Sequence, residues 1–240
     1  MRGVRRGLVV LVALAALLVA GDRIAAWAAQ QAVADQVATE LATYQVGSAR
    51  PETSFGGFPF LTQVAAGRYE EVSLRLRDVG SGPLRLPLVE LTAFGVTASA
   101  RTLVNRSGPI DAERVEGAAT IGYEQVRAIT GRPDLVLAPD DGRLTVRLPV
   151  ELLGQSLTLV GTASVEAAPD VVRIRVDGLT ALEPSGLPPG AGPLVEAIGR
   201  ELSVDVPLPP LPYGLSVDSV RAEPSGLVVT VSAREVPLSR

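Results

Sequence analysis

The chain has 240 residues, 22 basic and 26 acidic side chains and a net charge of −4, with 47% hydrophobic but only 4% aromatic residues. It contains no Cys and no His, and every basic residue is Arg. Disordered and collagen-like classes are excluded, and one large domain or two small ones can bury a core. The missing residue types exclude more. There is no disulfide framework, thiolate nucleophile, lipid-modified N-terminal Cys or Cys-ligated zinc. The usual near-neutral base and the commonest metal ligand are absent, as are Schiff-base and Walker-type lysines. Carboxylates, hydroxyls and Arg are left for catalysis, so a protein that is not an enzyme and has no cofactor is expected.

Arg2, Arg5 and Arg6 precede an unbroken apolar run from Leu8 to Ala20. A basic flank before 13 apolar residues is the pattern of a secretory signal. Three Arg with no acid before Asp22 also follow the positive-inside bias. The run is shorter than the roughly 18 apolar residues of a membrane span. Ala26-Trp27-Ala28 has the small-x-small form of a cleavage site, but Asp22 and Arg23 lie between it and the run. Residues 1–21 are therefore open to two readings, a cleaved signal peptide or a signal-anchor holding the protein in the cytoplasmic membrane by residues 8–20. Both predict export. Without residues 1–21, 19 Arg face 26 acids, a net −7, which argues against nucleic acid as a partner.

Residues 22–43 lack Gly and Pro and are rich in Ala, Gln, Val and Glu, a helical composition. Val33, Val37, Leu41 and Tyr44 form one stripe, with Gln30, Gln36, Thr39 and Glu40 away from it. Asp22 is placed to cap this helix. The helix either packs along a sheet or continues out of the apolar segment. After Val46 the period becomes two. Val72, Leu74 and Leu76 alternate with Ser73, Arg75 and Arg77, and the pattern returns at 144–149, 172–177 and 227–232. Strands with one apolar and one Arg-bearing face belong to antiparallel sheets that show one side to water. Turns are predicted at Gly80–Pro83, Ser107–Pro109 and Asp140–Gly142.

Two short helices interrupt the strands. One is Tyr123–Thr130, with Tyr123, Val126 and Ile129 as apolar positions; the other is Pro193–Leu202, with Leu194, Val195, Ile198 and Leu202. Pro184–Pro193 and Pro207–Pro212 read as extended connections, too short to separate domains, so residues 22–240 are taken as one domain. Glu-Pro-Ser-Gly-Leu occurs at 183–187 and 223–227, where Pro-Ser-Gly suits a turn.

Five of the nine aromatic residues lie between Tyr44 and Tyr69, densest in Phe55-Gly-Gly-Phe-Pro-Phe-Leu61. Gly56 and Gly57 open backbone angles closed to other residues, and Pro59 sets the direction of the chain. The rings suit either an apolar lip against a lipid chain or a filled core corner. Arg68, Arg75 and Arg77 lie close by, as phosphate contacts or as solvated strand faces. Enzymatic constellations fare poorly. Asp140-Asp141-Gly142 lacks the ligand spacing of a calcium loop. Glu70 and Glu71 point to opposite faces of a strand, and Ser156 and Ser185 have no His to activate them.

Phe55-Gly-Gly-Phe-Pro-Phe-Leu-Thr-Gln-Val64, followed by Gly67-Arg-Tyr-Glu-Glu-Val-Ser-Leu74, resembles the LmeA-like phospholipid-binding family of actinobacterial cell-envelope proteins. Asp22-Arg-Ile-Ala-Ala26 and the stretch Gly117–Ile129 are similar too, so the resemblance covers essentially everything after residue 21. It implies an α+β fold with a long N-terminal helix on a strongly curved antiparallel sheet, like lipid-binding modules of the bactericidal/permeability-increasing type. It also implies an envelope protein, in a periplasm-like space or at the membrane surface, that holds or transfers an anionic phospholipid in an apolar groove. The prototype's link to mannosylated phosphatidylinositol glycolipids makes a phosphatidylinositol-type lipid the expected ligand. The expected contacts are Phe55, Phe58, Phe60, Leu61, Arg68 and Arg75; the family supplies no ligand list. The rival readings are a structural or partner-binding envelope protein without a lipid, and a carboxylate-based glycan enzyme.

Overall fold

The computed structural model describes residues 2–43, 45–81, 84–99, 101–102, 108–140, 143–168, 171–182, 186–207 and 214–239. Tyr44, Gly82-Pro83, Ser107 of its predicted turn, Asp141-Gly142, Glu183–Ser185 and Leu208–Pro212 lie outside the described residues. The elements are α1 (Arg2–Thr43), β1 (Glu52–Gly56), α2 (Phe60–Ala66), β2 (Arg68–Ser81), β3 (Leu84–Thr97), β4 (Ile110–Ile121), α3 (Tyr123–Thr130) and β5 (Val136–Asp140). They continue with β6 (Arg143–Leu152), β7 (Gln155–Ala168), β8 (Val171–Ala181), α4 (Gly192–Leu202), β9 (Val204–Pro207), β10 (Ser216–Glu223) and β11 (Gly226–Ser239). The chain divides into two compact units, the first of Met1–Arg77, Glu90–Glu116 and Arg234–Arg240, the second of Asp78–Val89 and Gly117–Ala233.

The N-terminal helix is one uninterrupted element of 42 residues, about 63 Å long at 1.5 Å per residue. No Pro falls inside it, and Gly21, where the apolar run ends, weakens a helix by only about 1 kcal/mol. The segment after Gly21 thus continues out of the apolar run. Asp22 does not cap it, because it sits in mid-helix with i−4 partners already in place. Asp22, Ala26 and Ala34 are buried, and Gln30, Val33, Val37 and Leu41 are half-buried. This stripe contains the expected valines but also Gln30, whose carbonyl accepts a 2.6 Å bond from Thr53 Oγ1. It packs on β1 and α2.

The strands form two sheets, ordered β1-β2-β3-β4-β11-β10 and β5-β6-β7-β8-β9. Antiparallel ladders join β1 to β2, β10 to β11, and each neighbour from β5 through β9. The architecture is α+β with a long N-terminal helix, but the sheet is not strongly curled, which corrects the expected curvature. In the second unit the physical reason is visible: β5–β8 cover their apolar face with Val126 of α3, Leu202 of α4, Ala222 of β10 and Leu227 of β11. That face needs no curling around a helix to leave water.

Alternation reads out faithfully there. Leu144, Val146 and Leu148 of β6 are essentially fully buried, with Leu159 of β7 beside Leu152, Leu157, Ala191 and Val195 in a second cluster. Helix α3 has the bounds its periodicity predicts, and α4 begins one residue earlier than expected. Val195 and Leu202 face inward in α4, whereas Leu194 is 42% exposed, so it is not a core position. The second Pro-Ser-Gly is indeed a hairpin turn, with Glu223 opposite Gly226. Gly226 has φ 141°, and a Cβ there would collide with the carbonyl oxygen of Ile121. Only glycine fits.

Candidate lipid-contacting site

The segment between β1 and β2 in the first unit is built by a short chain reversal. Strand β1 runs antiparallel to β2, from Glu52 opposite Arg75 to Gly56 opposite Glu71. Gly57 then takes φ +79°, and a Cβ on it would collide with the side chains of Glu70 and Gln63. The Phe58–Pro59 peptide is cis, and Pro59 leads into α2. Gly67 closes that helix in the left-handed region, its N–H donating to the carbonyls of Gln63 and Val64.

Two buried polar side chains hold the reversal in place. Gln63 donates from Nε2 to the Gly56 carbonyl at 3.0 Å and accepts at Oε1 from the Glu70 N–H at 2.8 Å. Asp22, only 3% exposed, reaches from α1 and accepts the Leu61 N–H at 2.8 Å. That carboxylate serves the first turn of α2, whose own N-cap residue Pro59 has no side chain to offer. Arg23 pairs with the same carboxylate at 2.6 Å and lays its guanidinium over the Phe58 ring, 5.0 Å from the centroid.

The aromatic segment therefore divides. Phe60 is buried, and its ring lies 5.1 Å from half-buried Phe55 and 6.3 Å from buried Tyr69. These three make a core corner of tilted rings. The Tyr69 hydroxyl is buried without a hydrogen-bond partner among the described residues, and burial pushes its pKa above the ordinary value. Phe58 and Leu61 turn outward, 59% and 48% exposed. Ile24 and Trp27 of α1 are exposed as well.

The basic side chains sit in pairs. Arg68 meets Glu113 at 2.5 Å, Arg75 meets Glu90 at 2.5 Å and Arg77 meets Glu52 at 2.5 Å, all on solvent-facing positions. A phosphate at Arg68 or Arg75 would have to replace a carboxylate. Glu113 is thereby engaged, and Glu116 pairs with Arg114 at 3.1 Å. Among the described residues no group of three or more acids could hold a metal ion.

In the second unit a cleft of about 520 Å³ lies between β8 and α4, with Val176, Leu179 and Val195 on its apolar side and Arg200 and Ser203 on its polar side. An internal void of about 20 Å³ among Leu137, Leu144, Ala163 and Ile174 has room for no more than one water. Sequence reading missed Asp22, Arg23, Ile24, Trp27 and Gln63 as parts of the first site. The available signal was the interruption of the apolar run by an Asp-Arg pair, which in sequence reads equally well as the start of a helix.

Phe58 and Leu61 are thus displayed at the α2 tip, and the neighbouring Arg68, Arg75 and Arg77 are held in ion pairs with carboxylates. A family model described as LmeA-like phospholipid-binding matches residues 20–232, and the chain belongs to that family. It is a binding family, not a family of enzymes. No curated protein and no solved structure matches the chain.

Proposed function

We propose that the protein is exported, stays in the cytoplasmic membrane through α1, and binds an anionic phospholipid for transfer or presentation during envelope glycolipid assembly. Family membership over residues 20–232 carries the lipid part of this reading. Helix α1 carries the membrane part, because it is long and apolar enough to cross a bilayer and residues 8–20 are exposed all round. Retention of α1 is favoured by Asp22: cleavage after Ala28 would remove the carboxylate that holds the Leu61 N–H.

Residues 22–240 act in this proposal as one lipid-binding domain, which is supported by β2, β3, β4 and β11 each contributing residues to both units. Phe58 and Leu61 contact lipid directly, while Phe55 and Phe60 set their position from the ring corner. Arg68 and Arg75 meet the phosphate by exchanging carboxylate for phosphate, with a phosphatidylinositol-type head group as the expected ligand. In this reading the acyl chains are held in an apolar groove, as in bactericidal/permeability-increasing modules, and each buried methylene contributes about 0.8 kcal/mol.

Native mass spectrometry of the detergent-extracted full chain, paired with lipid extraction, tests the reading. Stoichiometric anionic phospholipid above the level of an unrelated membrane-anchored control supports it. A lipid-free protein that captures none from anionic vesicles overturns it in favour of a structural envelope protein.

A further inference from the structure

The apolar run is too short for the membrane it faces. Leu8–Ala20 is 13 residues, about 20 Å of helix, against a hydrocarbon core of about 30 Å. Extending the count to Trp27 gives 20 residues, or about 30 Å. That extension contains Asp22 and Arg23, which a bilayer rejects when they are bare.

The structure buries Asp22 and pairs it with Arg23, whose side chain stays 51% exposed. Asp22 is also bonded to the Leu61 N–H, while Arg23 lies against the Phe58 ring. These contacts hold the tip of α2 at the height of residues 22–23 along α1. Exposed apolar residues from that height toward the body of the protein include Ile24 and Trp27 from α1, and Phe58 and Leu61 are exposed at the tip. Trp27 is the only tryptophan in the chain, and tryptophan favours the membrane interface.

We propose that Ile24, Trp27, Phe58 and Leu61 form a collar seated in the outer leaflet of the membrane that holds α1. The α2 tip is thus a membrane-docking element, and the Asp22–Leu61 bond couples it to the anchor. The collar completes the apolar length that the run lacks and keeps the buried Asp22 away from the acyl chains, while the half-exposed Arg23 side chain reaches toward the head groups. It rests on the reading of α1 as a retained anchor, but not on any lipid held inside the protein.

Depth-dependent quenching tests it. The full chain is placed in vesicles of phosphatidylcholine and phosphatidylglycerol carrying bromines either near the glycerol or near the chain ends. Native Trp27 is compared with three variants in a Trp27→Phe background: Leu14→Trp, Phe58→Trp and Leu61→Trp. The Leu14→Trp protein is expected to be quenched most by deep bromines. Native Trp27 and the Phe58→Trp and Leu61→Trp proteins are expected to shift to shorter wavelength and to be quenched most by shallow bromines. Deep quenching of Leu14→Trp with water-like, unquenched emission from both tip variants sinks the collar and leaves the anchor standing. Unquenched Leu14→Trp overturns the anchor and the collar together, whatever lipid the protein binds.

Discussion

The two units bury different things. In the second, Leu144 and Leu159 are wholly inaccessible, Val146 and Leu148 nearly so, and the buried members of both clusters are all aliphatic, with Tyr123 packed at the edge. In the first, the organising groups around α2 are polar or aromatic: Asp22 and Gln63 hold the backbone, and Phe55, Phe60 and Tyr69 fill the corner. The second unit commits its apolar residues to burial, which is non-directional and proportional to area. The first uses a few directional hydrogen bonds to hold Phe58 and Leu61 out in solvent. Apolar side chains displayed at fixed positions are what the proposed membrane contact requires of this unit.

The contrast is most severely tested at Leu159. Leu159→Ala is expected to cost about 3–5 kcal/mol in urea unfolding, the range for a large buried aliphatic. A change below about 1 kcal/mol would deny the second unit its aliphatic basis. Next is Gln63→Ala, which strands the Gly56 carbonyl and the Glu70 N–H and is expected to cost about 1–3 kcal/mol. Amide exchange at Glu70 should quicken with it; unchanged exchange would remove Gln63 from its bracing role.

Tyr69→Phe runs the other way. Its hydroxyl has no partner among the described residues, so replacement is expected to stabilise the protein by about 1 kcal/mol. A loss of stability would reveal a bonded hydroxyl. Phe58→Ser should leave thermal stability within about 0.5 kcal/mol while lowering the lipid recovered with the protein. Unfolding of that variant would return Phe58 to the ring corner.

The smallest effect concerns the outer edge of the second sheet. The hydrogen bond from Arg175 at 2.6 Å holds the Asp205 carboxyl below its ordinary pKa against the opposing effect of burial. Because the folded-state value is the lower one, the pair supports the fold above about pH 4, and that support is lost as pH falls through the folded value. Asp205→Asn should remove this part of the acid sensitivity. Identical acid titrations of both proteins would show the pair to be without consequence.

Much of the second unit was legible from the chain. Period-two alternation marked β6, β8 and β11, and the flanking Gly residues bounded α3, because strands buried on one face and helices with one apolar stripe must write their period into the sequence. The sheet pairing and its lack of strong curl were not legible, since they depend on which apolar faces meet. In the candidate site, the density of rings at Phe55–Leu61 was visible, but the division into Phe55 and Phe60 inside and Phe58 and Leu61 outside was not. The two sets share one composition and differ only in what packs on them.

What the sequence alone determined is chemical inventory: no thiol, imidazole or amine to catalyse with, an apolar run behind three Arg, and a phospholipid-binding family motif. Tertiary structure decided what Asp22 is for. Read along the chain, it is an acid at the head of a helix; folded, it lies mid-helix and bonds the first turn of another. A carboxylate goes where the nearest unpaired N–H is, and only the packing of α2 on α1 put Leu61 there.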